Sequence, residues 1–184
     1  MFDLAGQRKY LNWPERKRFL EATNLHSNLR EKAFLQTLFF TGCRISEALS
    51  LTAHRLDIDD GTLVVETLKQ RRNGHYRSIP VPDTLLEMIK RLAEEDDRKA
   101  IYEFSRTTGY RLVKKCMSQA DINGSRAMPK ALRHSFAFAC ISRGIPITTT
   151  KKWLGHARLE TTAIYLNLQG EDERQLATRL WNES

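Results

Sequence analysis

The chain has 184 residues, 41% of them hydrophobic, enough to bury one core of ordinary domain size. No run reaches the roughly 20 apolar residues that cross a bilayer, and the opening "MFDLAGQRKYLNWPERKRF" lacks the apolar centre of a secretory signal, so the chain reads as soluble and intracellular. Cys43, Cys116 and Cys140 are odd in number and widely spaced, which suits neither a disulfide framework nor a zinc site, while 30 Lys and Arg against 22 Asp and Glu (net +8, pI near 9.6) create a field that attracts polyanions such as nucleic acid.

Asn12 caps a first helix that starts at Trp13-Pro14-Glu15 and turns Phe19 and Leu20 inward. A second helix runs through "LREKAFLQTLFF" and stops at Thr41-Gly42, glycine being the usual terminator; "RISEALSL" begins a third. Alternating runs follow: "HRLDID", an Asp60-Gly61 turn, "TLVVET", the basic loop "LKQRRNGH" and "YRSIPV". Asp-Gly and Asn-Gly between alternating segments predict hairpins, hence a small three-stranded antiparallel sheet. After Pro82-Asp83, Leu85, Leu86, Met88, Ile89, Leu92 and Ala93 recur with a helical period. "RLVKKCMSQADI" and "KALRHSFAFACISRG" predict two more helices, the second ending at Gly144. Pro146 and Thr148 open another, ending near Gly155; "LETTAIYL" follows, and "EDERQLATRLW" predicts a charged terminal helix. The expected architecture is one domain over residues 1–184, mainly α with a small three-stranded antiparallel β-sheet, an α+β fold.

Several charges fall where solvation alone does not account for them. Arg44 follows a glycine turn and begins a helix between apolar segments, within reach of Glu47 one turn on. Arg133 emerges between Leu132 and Phe136; a charge in such surroundings must be paired or face a ligand, because burying it alone costs several kcal/mol. Lys69 ends a strand ahead of the "QRRNG" turn and, taken alone, reads as an exposed hairpin lysine, while His134 reads as a structural histidine. His156 and Tyr165 are nine residues apart, which on one unbroken helix puts them on opposite sides. The helix stop at Gly155 lets the chain turn and removes that objection.

Together, "TGCRISEALSL", "LRHSFA" and "LGHARLETTAIY", in this order and with the hairpin between the first two, resemble the catalytic domain of the tyrosine recombinases, the phage-integrase family. The resemblance runs from about Asn12 to Tyr165 and implies that family's catalytic-domain fold. It implies double-stranded DNA as partner, a homodimer or tetramer on that DNA, no membrane, no cofactor and no metal, and a place in the cytoplasm on the bacterial nucleoid. By the same resemblance Arg44 and Arg133 are the catalytic arginines, His156 holds the His/Trp position and Tyr165 is the nucleophile. Lys69 matches the hairpin lysine, with Arg71 or Arg72 as the alternative match; Arg71, Arg72, Lys151 and Lys152 are expected to bind DNA. The N-terminal core-binding domain that most relatives carry is expected to be absent, and a helix at about 171–182 either closes the domain on its own core or is exchanged between protomers.

The implied reaction is attack of the tyrosine oxygen on a DNA phosphodiester, leaving a 3′-phosphotyrosyl enzyme and a free 5′-hydroxyl that strand exchange later consumes, in integration, inversion or resolution. Two planar, permanently charged guanidinium forks suit the charge gathering on the non-bridging oxygens, and Lys69 is the expected general acid for the departing oxygen. One position departs from the family pattern of His-x-Leu-Arg-His: this chain has Lys130-Ala131-Leu132-Arg133-His134. Lys130 can donate to a phosphate oxygen, but a lysine of pKa near 10.4 does not exchange protons near neutrality as a histidine does. A cleavage-deficient DNA-binding protein and, less favoured, a relaxing topoisomerase of similar chemistry are the alternatives.

Overall fold

The structure is a computed structural model that describes residues 6–67, 74–94 and 100–163, together with Arg174 and Thr178. Helix α1 (Trp13–Thr23) begins with a reciprocal cap: Asn12 Oδ1 accepts the Glu15 N–H and the Glu15 carboxylate accepts the Asn12 N–H. Helix α2 (Leu29–Thr41) is capped by Asn28 and ends at Gly42. From Ala33 to Phe39 it is buried all round, and it packs against α1, α3 (Ile45–Leu49), α4 (Asp83–Ala93) and α6 (Pro129–Ser142), with α5 (Arg106–Gln119) also against it. Phe136 of α6 lies so close to the end of α2 that a Cβ on Gly42 would stand 2.7 Å from its ring.

The expected sheet forms with strand order β1-β2-β3, all antiparallel: β1 (Leu56–Asp57), β2 (Thr62–Glu66) and β3 (Tyr76–Pro80). It is smaller at one edge than the alternation of "HRLDID" suggests. Ala53–Arg55 makes a single 3-10 turn, and only Leu56 and Asp57 pair with β2. Thr52, just upstream, is bridged to Ala100 instead, and the Asp57 carboxylate accepts the Asp60 N–H and turns the chain at once. In β2 and β3, Leu63 pairs with Ile79 and Val65 with Arg77 on the buried face.

Helix α6 stops at Ser142, two residues short of Gly144. Helix α7 (Ile147–Leu154) follows Pro146 and ends at Gly155, and α8 (Glu160–Ala163) is the start of "LETTAIYL". The three cysteines are free, buried thiols, and burial is the main reason each has a raised pKa. Of the expected terminal helix, Arg174 and Thr178 are helical, the Thr178 hydroxyl donating to Arg174 O; its remaining residues lie outside the described ones. Among the described residues no helix is long and apolar enough to cross a membrane.

Candidate active site

Arg44 is the N-cap of α3, and its neighbour across the first turn is Glu47, a carboxylate with no solvent exposure. Arg44 Nη1 donates to Glu47 Oε1 at 2.7 Å, and the Arg44 backbone N–H donates to Oε2 at 2.9 Å. Burial pushes the Glu47 carboxyl up, but the charge of Arg77 and the N–H and charge of Arg44 outweigh it and hold Glu47 below the usual carboxylate range. The Arg44 side chain is 31% exposed.

Arg133 comes from the second turn of α6 and is buried. Its Nη1 donates to Gly42 O at 2.9 Å and its Nη2 to Leu154 O at 2.6 Å. Those two acceptors are carbonyls at the ends of α2 and α7, where a cation is favoured by the partial negative charge of the helix end. They also bring the residues that follow, Arg44 and His156, to the same place from opposite ends of the sequence.

The C-terminal turn of α7 is closed by both backbone and side chains. Gly155 adopts φ +65°, its N–H donates to Lys152 O at 3.1 Å, and the His156 N–H donates to Lys151 O at 3.2 Å. Trp153 O accepts Arg77 Nε at 2.7 Å and Leu154 O accepts Arg133. All four final carbonyls of α7 are thereby satisfied, two of them by buried arginines. The chain reverses at this turn, and His156 Nδ1 meets Thr162 Oγ1 of α8 at 2.9 Å.

Burial lowers the pKa of His156 to about 4, reinforced by the positive charges of Arg133, Arg44 and Arg77. Its ring is therefore neutral at pH 7, with Nδ1 sharing a hydrogen bond with the Thr162 hydroxyl. His134 is likewise pushed down to about 4, by burial and by the charges of Lys130, Arg133 and Lys9, in keeping with a structural role. A cleft of about 370 Å³ opens beside His156, lined also by Thr67, His75, Tyr76, Arg77, Lys151 and Lys152. Lys151 and Lys152, expected from the sequence to bind DNA, thus share a wall with His156. Lys130 is exposed in the first turn of α6, three residues from Arg133.

Lys69, Arg71, Arg72 and Tyr165 lie outside the described residues. The residue the sequence reading passed over is Arg77. It is buried on β3 and bonded to Glu47 Oε2 (2.6 Å), Thr67 Oγ1 (2.8 Å) and Trp153 O. Its signal was in "YRSIPV", where Arg77 falls in the same alternating phase as the buried Ile79. Among the described residues, no three His, Cys, Asp or Glu side chains come together as a metal site.

The phage integrase family model matches residues 9–172, and the chain belongs to that family. It is 31% identical over 182 residues to tyrosine recombinase XerA of Pyrococcus furiosus, a match that covers 93% of this chain and 61% of that one. The crystal structure of XerA recombinase has a TM-score of 0.77 at 24% identity, covering 95% of this chain and 66% of the other. XerH site-specific recombinase, solved bound to its difH substrate in a pre-cleavage complex, has a TM-score of 0.75 at 20% identity and covers 98% of this chain and 60% of the other. These structural likenesses concern the fold, which is the tyrosine recombinase catalytic-domain fold expected from the sequence.

Proposed function

We propose that this chain is the catalytic domain of a site-specific recombinase that breaks and rejoins DNA through Tyr165. The tyrosine oxygen attacks a phosphodiester phosphorus, the bond from phosphorus to the 5′ oxygen breaks, and a 3′-phosphotyrosyl linkage forms. The 5′-hydroxyl of a second strand then attacks that linkage and releases the tyrosine. The bond energy is held in the phosphotyrosine, so the cycle balances without a nucleotide.

Arg44 and Arg133 bear on the non-bridging oxygens, where donors aimed at developing charge are typically worth 10²–10³ in rate each. His156, as a neutral imidazole, donates to the same phosphate, and Lys130 adds a further cation. Lys69 protonates the departing 5′ oxygen, and Arg71, Arg72, Lys151 and Lys152 hold the DNA backbone. The protein acts as a homo-oligomer on DNA, in integration, inversion or resolution.

The observation that carries this reading is the convergence produced by Arg133. Its bonds to Gly42 O and Leu154 O draw Arg44 and His156 together, although 112 positions of sequence (156 − 44) separate them. Membership of the phage integrase family and the likeness to XerH bound to difH support DNA as the substrate.

The test uses nicked duplexes tiled across the DNA that flanks the gene. After incubation and denaturation in detergent, the wild-type chain is expected to remain covalently attached to one of them. Tyr165→Phe should form no adduct while still shifting the duplex in a native gel. An adduct that persists in Y165F overturns the assignment of the nucleophile. Wild-type binding with no adduct on any duplex favours the cleavage-deficient reading, in which Lys130 replaces a proton-exchanging histidine.

A further inference from the structure

We propose that Arg77 is a positioning residue for DNA: it is the counter-charge of Glu47, and by neutralising that carboxylate it leaves Arg44 with a full positive charge to offer a phosphate. The proposal rests on the DNA-binding part of the function given above. Three groups form one cluster, a carboxylate between two guanidiniums. One of the two positive charges is cancelled and one is left over.

Exposure decides where the surplus charge resides. The side chains of Glu47 and Arg77 are 0% and 3% exposed, whereas that of Arg44 is 31% exposed. The buried pair is therefore Glu47 with Arg77, bonded at 2.6 Å, and the partner that faces outward is Arg44. Each oxygen of Glu47 has its own cation: Oε1 accepts Arg44 Nη1 and Oε2 accepts Arg77 Nη2. Without Arg77 the buried carboxylate would have a single counterion. Arg44 would then be held as half of a neutral pair, since a buried charge left without a partner costs several kcal/mol.

The other two bonds of Arg77, to Thr67 Oγ1 and Trp153 O, need only a donor and not a charge. A purely structural role would therefore lie in those two bonds, and removing the charge on Glu47 would do nothing to repair their loss. The two roles predict opposite results when Arg77 and Glu47 are changed together.

The probe is a fluorescein-labelled 30-base-pair duplex, its binding followed by anisotropy over a range of salt concentrations. Each phosphate contact contributes about 0.9 to the slope of log affinity against log salt. Arg44→Ala is expected to lower that slope by about one contact, and Arg77→Met to lower it by the same amount. In Arg77→Met combined with Glu47→Gln the slope should return to the wild-type value. Arg77→Lys, which keeps the charge, should stay near wild type.

An unchanged slope in R44A or R77M overturns the proposal, as does a double variant that recovers nothing. Melting curves cover the case in which R77M does not fold, with Glu47 left buried and unpaired. A double variant that regains the fold and the wild-type slope supports the charge role, and one that folds no better than R77M overturns it. Because the readout is binding, a failure to form the tyrosine adduct would refute the cleavage chemistry and leave this result standing.

Discussion

At Gly155 the backbone takes φ +65°, and a Cβ placed there would stand 2.9 Å from Thr67 Oγ1 and 3.1 Å from Arg77 Cζ. Gly61 has φ +64°, but nothing lies within 4 Å of the same added atom. The pair separates two costs that are usually confounded, the left-handed conformation and the crowding. Gly61→Ala should cost only the conformational part, about 1 kcal/mol. Gly155→Ala should cost at least twice that in urea denaturation, about 2–3 kcal/mol, because Arg77 is bonded at three atoms and has little room to yield. Equal losses at the two sites would show that the neighbours of Gly155 move aside freely.

Among elements, α7 is the one whose end depends most on other parts of the chain. Eight residues give it few internal hydrogen bonds, and its last two carbonyls rely on Arg77 from the sheet and Arg133 from α6. Lysine at position 133 keeps the charge but brings one nitrogen where the guanidinium brings two. Its single ammonium must reach Gly42 O and Leu154 O from one point and loses the two-nitrogen fork that spans them. Arg133→Lys is expected to lower stability by about 1–3 kcal/mol. Amide exchange should quicken selectively at Gly155 and His156, whose N–H groups close the same turn. Exchange unchanged at those two amides would mean that α7 ends independently of Arg133.

For the whole molecule, burial first and the positive field second shape the response to acid. His134 and His156 have folded pKa values near 4, below the ordinary histidine value of 6.5. Between those values the unfolded chain binds more protons than the folded one, so stability is full above about pH 6.5 and falls as the pH drops toward 4. His134 should remove about 2 kcal/mol between pH 7 and pH 5, and the half-buried His156 less, because solvent screens it. Glu47, with its folded pKa lowered, contributes stability above the ordinary carboxylate value that is lost only at lower pH, so the histidines act first. Thermal melts across this range should show that fall, and His156→Gln should remove the smaller part of it. A melting temperature flat from pH 7 to 5 would contradict imidazoles held neutral in the folded chain.

The local features of this chain were legible in its residues because their causes lie within a few positions. The Asn12–Glu15 cap, the stops at Gly42 and Gly155 and the β2–β3 alternation each depend on near neighbours, and each forms. The order of the motifs around Arg44, Arg133 and His156 was enough to point to the family. Where local pattern overreached, it was in length: of "HRLDID" only Leu56 and Asp57 pair with β2, and Thr52 just upstream is bridged to the distant Ala100. The same holds for charge. The sequence by itself determined which charged residues the chain carries and on which elements they lie. Only the tertiary structure decided which partner each one meets, pairing Glu47 with an arginine 30 residues away and Arg133 with a carbonyl 91 residues away. Neutralisation depends on distance and burial, and both are set by packing between elements that no local pattern encodes.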